Sequence, residues 1–208
     1  LQRTEPRLQQ IHLIRIDMSR KRYGFVSTPK PAEWNEEMPG NPDWRVITRL
    51  QTTLDFMKEM RAKKKDGGRN LNVVLAVNAS PWSPFPAKPA GNPFGAGMGL
   101  YITDGEILDS NDLGRPCFVV MKDGTLDFRT SNNKIEPEKI QISMPGFAVI
   151  LEDGEVTPGA AGDTSVHPRT GYGLSKDRRY FYILVVDGRQ KEYSMGQTTG
   201  EMAVLLKE

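Results

Sequence analysis

Residues 11–18, Ile-His-Leu-Ile-Arg-Ile-Asp-Met, alternate apolar and polar positions with a period of two. That pattern predicts a half-buried strand. Tyr-Gly-Phe-Val-Ser-Thr-Pro at 23–29 reads as a second, shorter strand. The first helical pattern covers 52–64. Thr52 or Thr53 can cap it, Leu54, Phe56, Met57 and Met60 fall near helical spacing, and Lys-Asp-Gly-Gly stops it. The run 70–78, Asn-Leu-Asn-Val-Val-Leu-Ala-Val-Asn, is almost wholly apolar and predicts a buried strand, with the helix packed on one face of a central sheet.

The rest of the chain reads as hairpins. Asp-Gly pairs at 104–105, 123–124, 153–154 and 187–188 each lie between strand-like segments. Asp-Gly suits a type I′ turn, where both central residues adopt positive φ. A fifth pair, 66–67, follows the first helix and reads as its cap. At the end, Thr198 with Glu201 three residues later forms a capping-box pattern before Met202, Ala203, Leu205 and Leu206. The pattern predicts an α+β fold, a single hairpin-rich domain over 1–208 with a mixed sheet and a few packing helices.

Composition narrows the function. Lys and Arg total 28 and Asp and Glu 26, for a net charge of +2. There is no broad basic field to hold nucleic acid. The local run Arg61-Ala62-Lys63-Lys64-Lys65 sits where cations complement a helix end. A single cysteine, Cys117, excludes an internal disulfide and reads as a small hydrophobe in the strand Cys-Phe-Val-Val-Met. No apolar stretch is long enough to span a bilayer. The first residue is Leu, so any export signal is expected to have been removed upstream. An exported location, whether periplasmic, cell-surface or secreted, is the expectation.

Few motifs carry chemistry alone. Gly-Ala-Gly-Met-Gly at 95–99 is not a dinucleotide fingerprint and reads as a flexible surface loop. His12 and His167 have no partner at metal-ligand spacing, and neither a metal nor a cofactor is expected. The Pro/Asn/Glu-rich loop at 29–42 is expected to pack on the body through Trp34 within it and Trp44 just after it. Trp82 and Phe85, within Asn-Ala-Ser-Pro-Trp-Ser-Pro-Phe-Pro, read either as a hydrophobic plug or as a platform for a sugar face. Asn78 can cap the turn before them. Glu201 can be only a capping residue and Asp187 only a turn residue, but paired carboxylates near one cleft are what glycosyl transfer requires. His-Pro-Arg-Thr-Gly-Tyr-Gly at 167–173 reads as a polar corner in front of the buried strand Tyr-Phe-Tyr-Ile-Leu-Val-Val, with Gly171 and Gly173 loosening the backbone.

The ordered series is more specific than any member of it. Asn-Ala-Ser-Pro-Trp, a run of Asp-Gly hairpins, His-Pro-Arg-Thr-Gly-Tyr-Gly-Leu-Ser, Tyr-Ile-Leu-Val-Val-Asp-Gly-Arg-Gln and Tyr-Ser-Met-Gly-Gln-Thr-Thr-Gly-Glu resembles the phosphodiester glycosidase family, which includes the mannose 6-phosphate uncovering enzyme. The resemblance runs from about Arg3 onward and is strongest from His167 to Leu206. It implies hydrolysis of a sugar–phosphate bond at the anomeric carbon, with a carbohydrate phosphodiester as substrate. A phosphate monoester leaves readily, so an anionic diester needs cationic and N–H contacts more than a strong general acid.

Carried onto this chain, the resemblance implies that Arg169 binds phosphate with help from His167 and that Asn78 orients the sugar. Glu201 or Asp187 would activate water or stabilise an oxocarbenium-like transition state. Thr170, Gly188, Ser194 and Thr198 would complete the binding set. Family members continue into an Asp-Gly-Gly-Gly-Ser motif. The sequence here stops at Glu208, so the domain is expected to lack that Gly-rich segment. A second reading on the same scaffold is a non-catalytic carbohydrate-binding or envelope-associated module.

Overall fold

The computed structural model describes residues 1–20, 22–83, 91–110, 114–131 and 135–208. They form two compact units. One joins Leu1–Gly24 to Ala148–Glu208, and the other is Phe25–Phe147. The fold is α+β, with helices Thr53–Arg61, Pro158–Ala161 and Thr199–Lys207 among many short strands. No helix among the described residues is long and apolar enough to cross a membrane.

The first unit is built on a four-stranded sheet in the order Gln2–Arg3, Gln9–Asp17, Tyr180–Val186, Arg169–Leu174. Tyr180–Val186 is an inner strand, flanked by ladders on both sides, which is why it reads as a nearly unbroken apolar run. Phe181, Ile183, Leu184 and Val186 are all buried. Ile11 lies opposite Val186, and Leu13 opposite Leu184. Helix Thr199–Lys207 covers this sheet, where Met202 and Leu205 join Ile11, Leu184 and Val186 in one cluster. The capping box forms as its spacing predicts: Thr198 Oγ1 accepts from the Glu201 N–H, and Glu201 Oε2 accepts from the Thr198 N–H at 2.9 Å.

The second unit holds a five-stranded sheet ordered Leu126–Thr130, Pro116–Met121, Ile140–Pro145, Leu100–Thr103, Glu106–Ser110. Its core is Leu100, Ile102, Cys117, Val119 and Ile140. Burial of Cys117 pushes its thiol pKa up, as suits a packing residue. Trp34 donates to the Leu108 carbonyl at 2.9 Å, and Trp44 packs on Met38, Val46 and Ala96, so this loop is anchored as expected.

Three Asp-Gly pairs close hairpins. Asp104–Gly105 and Asp153–Gly154 have positive φ at both residues, 50° and 78° and then 48° and 81°, the signature of type I′. At Asp123–Gly124 only the glycine is left-handed, at 87°, and the Asp123 carboxylate accepts from the Thr125 N–H at 2.8 Å in a longer loop.

Several expectations are corrected. The apolar run 70–78 is not a strand, nor is 23–29. Val74 is 64% exposed, and no ladder pairs with either segment among the described residues. An apolar run becomes a strand only when a neighbour takes its N–H and C=O groups. Instead the Arg61 guanidinium bonds the Val73 carbonyl, Nε at 2.9 Å. The predicted helix ends early, at Arg61, and Gly67 at φ 82° caps a separate short turn, Lys64–Asp66.

Every strand pairing among the described residues is antiparallel, so the sheets are not mixed. Short hairpin links impose that arrangement on Leu100–Thr103 with Glu106–Ser110, on Pro116–Met121 with Leu126–Thr130, and on Arg169–Leu174 with Tyr180–Val186, and the long-range pairs follow it. Gly95 and Ala96 are buried, not part of a loose surface loop. Phe85 lies outside the described residues.

Candidate functional site

Most of His-Pro-Arg-Thr-Gly-Tyr-Gly is strand, not corner. Arg169–Leu174 pairs residue for residue with Phe181–Val186. Gly171 and Gly173 therefore have extended backbone. Gly171 serves close packing, since a Cβ there would lie 2.8 Å from the Met202 methyl of the covering helix.

The backbone draws the named segments together within the first unit. His167 and Gln197 exchange N–H···O=C bonds at 3.1 and 3.0 Å. Gly188 lies against the same loop, where a Cβ would fall 2.5 Å from Pro168 N, so only glycine fits. Asp187–Gly188 is thus not a hairpin turn. Its φ values are ordinary, and the reversal comes later, closed by the Gln190–Ser194 bridge. Ser194 is buried and ties this reversal down: its hydroxyl donates to the Asp187 carbonyl at 2.6 Å and accepts from the Gln10 N–H at 3.0 Å.

The side chains go to three different partners. Arg169 donates through Nη2 to Asp163 Oδ2 at 3.0 Å and to the Ser165 carbonyl at 2.7 Å, and through Nε to the Gln197 carbonyl at 3.2 Å. Asp163 also accepts from the Thr199 N–H and hydroxyl, both at 2.9 Å, and from the Ser165 N–H. Those N–H donors, then the Thr199 hydroxyl and the Arg169 charge, hold its carboxyl far below the usual carboxylate range. Glu201 pairs with Arg7 through the same Oε2 that takes the Thr198 N–H. Asp187 is looser: its Oδ2 lies 3.4 Å from His12 Nε2 and 3.3 Å from the Tyr193 hydroxyl.

His167 is exposed, and its ring makes no hydrogen bond or ion pair among the described residues. Thr170 is half-buried in the strand, and Thr198 is the helix cap. Asn78 is exposed and belongs to the second unit. The backbone therefore assembles His167, Arg169, Thr170, Asp187, Gly188, Ser194, Thr198 and Glu201 in one region, while Asp187 faces His12 and Tyr193 and Glu201 faces Arg7.

Sequence reasoning missed Arg7, Asp163 and Gln197. Asp163-Thr-Ser165 is an Asx-turn pattern that could have flagged Asp163. Nothing local marks Arg7, which meets a carboxylate 194 residues away.

Compared with known proteins, residues 71–208 match the family model described as phosphodiester glycosidase. No curated protein matches the chain.

Proposed function

The chain belongs to the phosphodiester glycosidase family, and from that premise we propose that it hydrolyses a sugar-1-phosphodiester at the anomeric carbon. The observation that carries this reading is the backbone assembly of 167–170, 187–188 and 194–201 in one unit, all inside the matched region. Family membership supports a glycan substrate.

Asp187 is the better reacting carboxylate. Glu201 has one oxygen already shared by Arg7 and Thr198. Asp187 is 35% exposed in its side chain and, among the described residues, has two long contacts, both on Oδ2. Its other oxygen makes no hydrogen bond among the described residues and is left to take a proton from water. Asp187 takes a proton as the water oxygen bonds to the anomeric carbon, and the bond from that carbon to the phosphate oxygen breaks. The phosphate monoester leaves with the electron pair. Arg169 has its charge balanced by Asp163, so the exposed His167 imidazole supplies more of the anion contact than Arg169, of whose nitrogens Nη1 alone makes no hydrogen bond among the described residues.

The test is a panel of sugar-1-phosphodiesters assayed for both free sugar and phosphate monoester. Wild-type protein is expected to release both, and Asp187→Asn to lose at least ~100-fold in rate. An Asp187→Asn variant with near wild-type turnover would remove the assigned role. Saccharide binding without any cleavage across the panel would replace the hydrolase with a binding module.

A further inference from the structure

We propose that the end of the four-stranded sheet remote from the candidate site docks on an anionic phospholipid bilayer. Two turns lie at that end, Met18–Arg20 after the strand Gln9–Asp17 and 175–179 before the strand Tyr180–Val186. The turns and the residues beside them carry Arg15, Arg20, Arg22, Lys176, Arg178 and Arg179 against Asp17 and Asp177. All six cations are exposed. Their excess is four positive charges, whereas the whole chain carries +2, so the rest of the chain is net negative. A chain polarised in this way turns its basic end toward an anionic surface.

The two carboxylates do not cancel that excess. Asp17 is shared, with its Oδ2 at 3.1 Å from Arg179 Nη2 and 3.9 Å from Arg20 Nε. Asp177 closes its own turn, accepting from the Ser175 hydroxyl at 2.6 Å and the Arg179 N–H at 3.1 Å. Arg15, Arg22 and Lys176 form no ion pair among the described residues. The turns are also held in place before any partner arrives. The Met18 N–H donates to the Arg179 carbonyl and the Arg178 N–H to the Ser175 carbonyl, both at 2.8 Å. The guanidinium groups of Arg15 and Arg179 lie 4.9 and 5.0 Å from the Tyr180 ring centroid. Little ordering cost is left for docking.

The aromatic residues favour a bilayer over a soluble polyanion. Tyr23 is 52% exposed just beyond the first turn, and Tyr180 and Tyr182 are half-buried at the sheet end. Tyrosine beside basic residues suits headgroup depth, where an apolar ring and a polar hydroxyl are both accommodated. A linear polyanion, nucleic acid included, calls for cations along a track, and these are gathered at one end. Leu174 pairs with Phe181 at this end of the ladder and Arg169 with Val186 at the other. At about 3.4 Å per residue, His167 and Asp187 lie roughly 20 Å away. Docking leaves them open, and it does not depend on the hydrolase reading.

Co-sedimentation of the intact chain with vesicles tests the proposal. Vesicles of phosphatidylcholine and phosphatidylglycerol in equal parts are expected to pellet the protein, and pure phosphatidylcholine vesicles to leave it in solution. Each basic residue near an anionic leaflet strengthens partitioning about fivefold. The triple variant Arg20→Gln/Arg22→Gln/Lys176→Gln is therefore expected to bind about 100-fold more weakly. Lys63→Gln/Lys64→Gln/Lys65→Gln makes the same change in net charge within the other unit and is expected to bind as wild type does.

Failure of the anionic vesicles to pellet the wild-type protein overturns the proposal. Equal losses in the two triple variants also overturn it, because net charge and not this end would then be responsible. Capture by single-stranded DNA or heparin without vesicle binding would make this end a polyanion site in place of a membrane one. If the first triple variant does not fold, Arg22→Gln/Lys176→Gln decides, with an expected loss of about 25-fold.

Discussion

Asp163 shows what a single side chain can organise. It accepts from two backbone N–H groups and one hydroxyl and faces Arg169, so it joins the loop before the Arg169 strand to the start of the last helix. Its lowered pKa is a stability statement with a definite sign. A carboxyl depressed in the folded state stabilises above its unfolded pKa, about 3.9, and that contribution is lost as pH falls through the folded value. Asp163→Asn should therefore melt below wild type by a constant interval from pH 7 down to about pH 4, with the interval narrowing at lower pH. Thermal melts across that range check this, and an interval that widens below pH 4 would contradict it. Side-chain pairings of this kind were the least legible part of the sequence. Arg169 and His167 stood out by type, but Asp163, six residues upstream, is what claims the guanidinium. Arg7 and Glu201, at opposite ends of the chain, meet only because the sheet brings them together.

At the level of elements, identical dipeptides do different work. Asp153–Gly154 turns a hairpin with both residues left-handed, and nothing lies within 4 Å of a Cβ placed on Gly154. Asp187–Gly188 runs straight on from a strand, and its glycine is there because Pro168 leaves no space for a side chain. Gly154→Asn should cost about 1 kcal/mol or less, since Asn tolerates the left-handed region and meets no neighbour. Gly188→Asn should cost about 1–3 kcal/mol or more, because the clash is with backbone. Denaturant midpoints for the two variants separate these cases; equal losses would mean that Gly188 is a turn residue after all. The capping box, the type I′ turns and the alternating strand at 11–18 were legible because each is decided by residues close in sequence. The run 70–78 misled because apolar character speaks to burial, whereas a strand also needs a neighbouring backbone, and no local signal reports one.

The first unit is made from both ends of the chain, while the second is one continuous segment. Tyr180–Val186 gains seven Cα partners from Gln9–Asp17, namely Asp17, Ile16, Arg15, Ile14, Leu13, His12 and Ile11. Without them it becomes an edge strand carrying Phe181, Leu184 and Val186, an aggregation-prone arrangement. The loss reaches the proposed site as well. Gln10 holds the Ser194 hydroxyl and the Asp187 N–H, Leu8 holds the Met195 N–H, and Gln9 holds the Gln197 amide. A chain beginning at residue 21 should thus lose amide-exchange protection throughout Tyr180–Val186 and show neither sugar binding nor cleavage. The strand Pro116–Met121 keeps both of its ladder partners, Leu126–Thr130 and Ile140–Pro145, within the continuous segment, and its amides should remain protected. Hydrogen exchange read by mass spectrometry separates the two regions in one experiment. Equal loss in both strands would show that the two units unfold as one. Retained protection in Tyr180–Val186 would mean that the N-terminal strand is dispensable to the sheet that mounts the site.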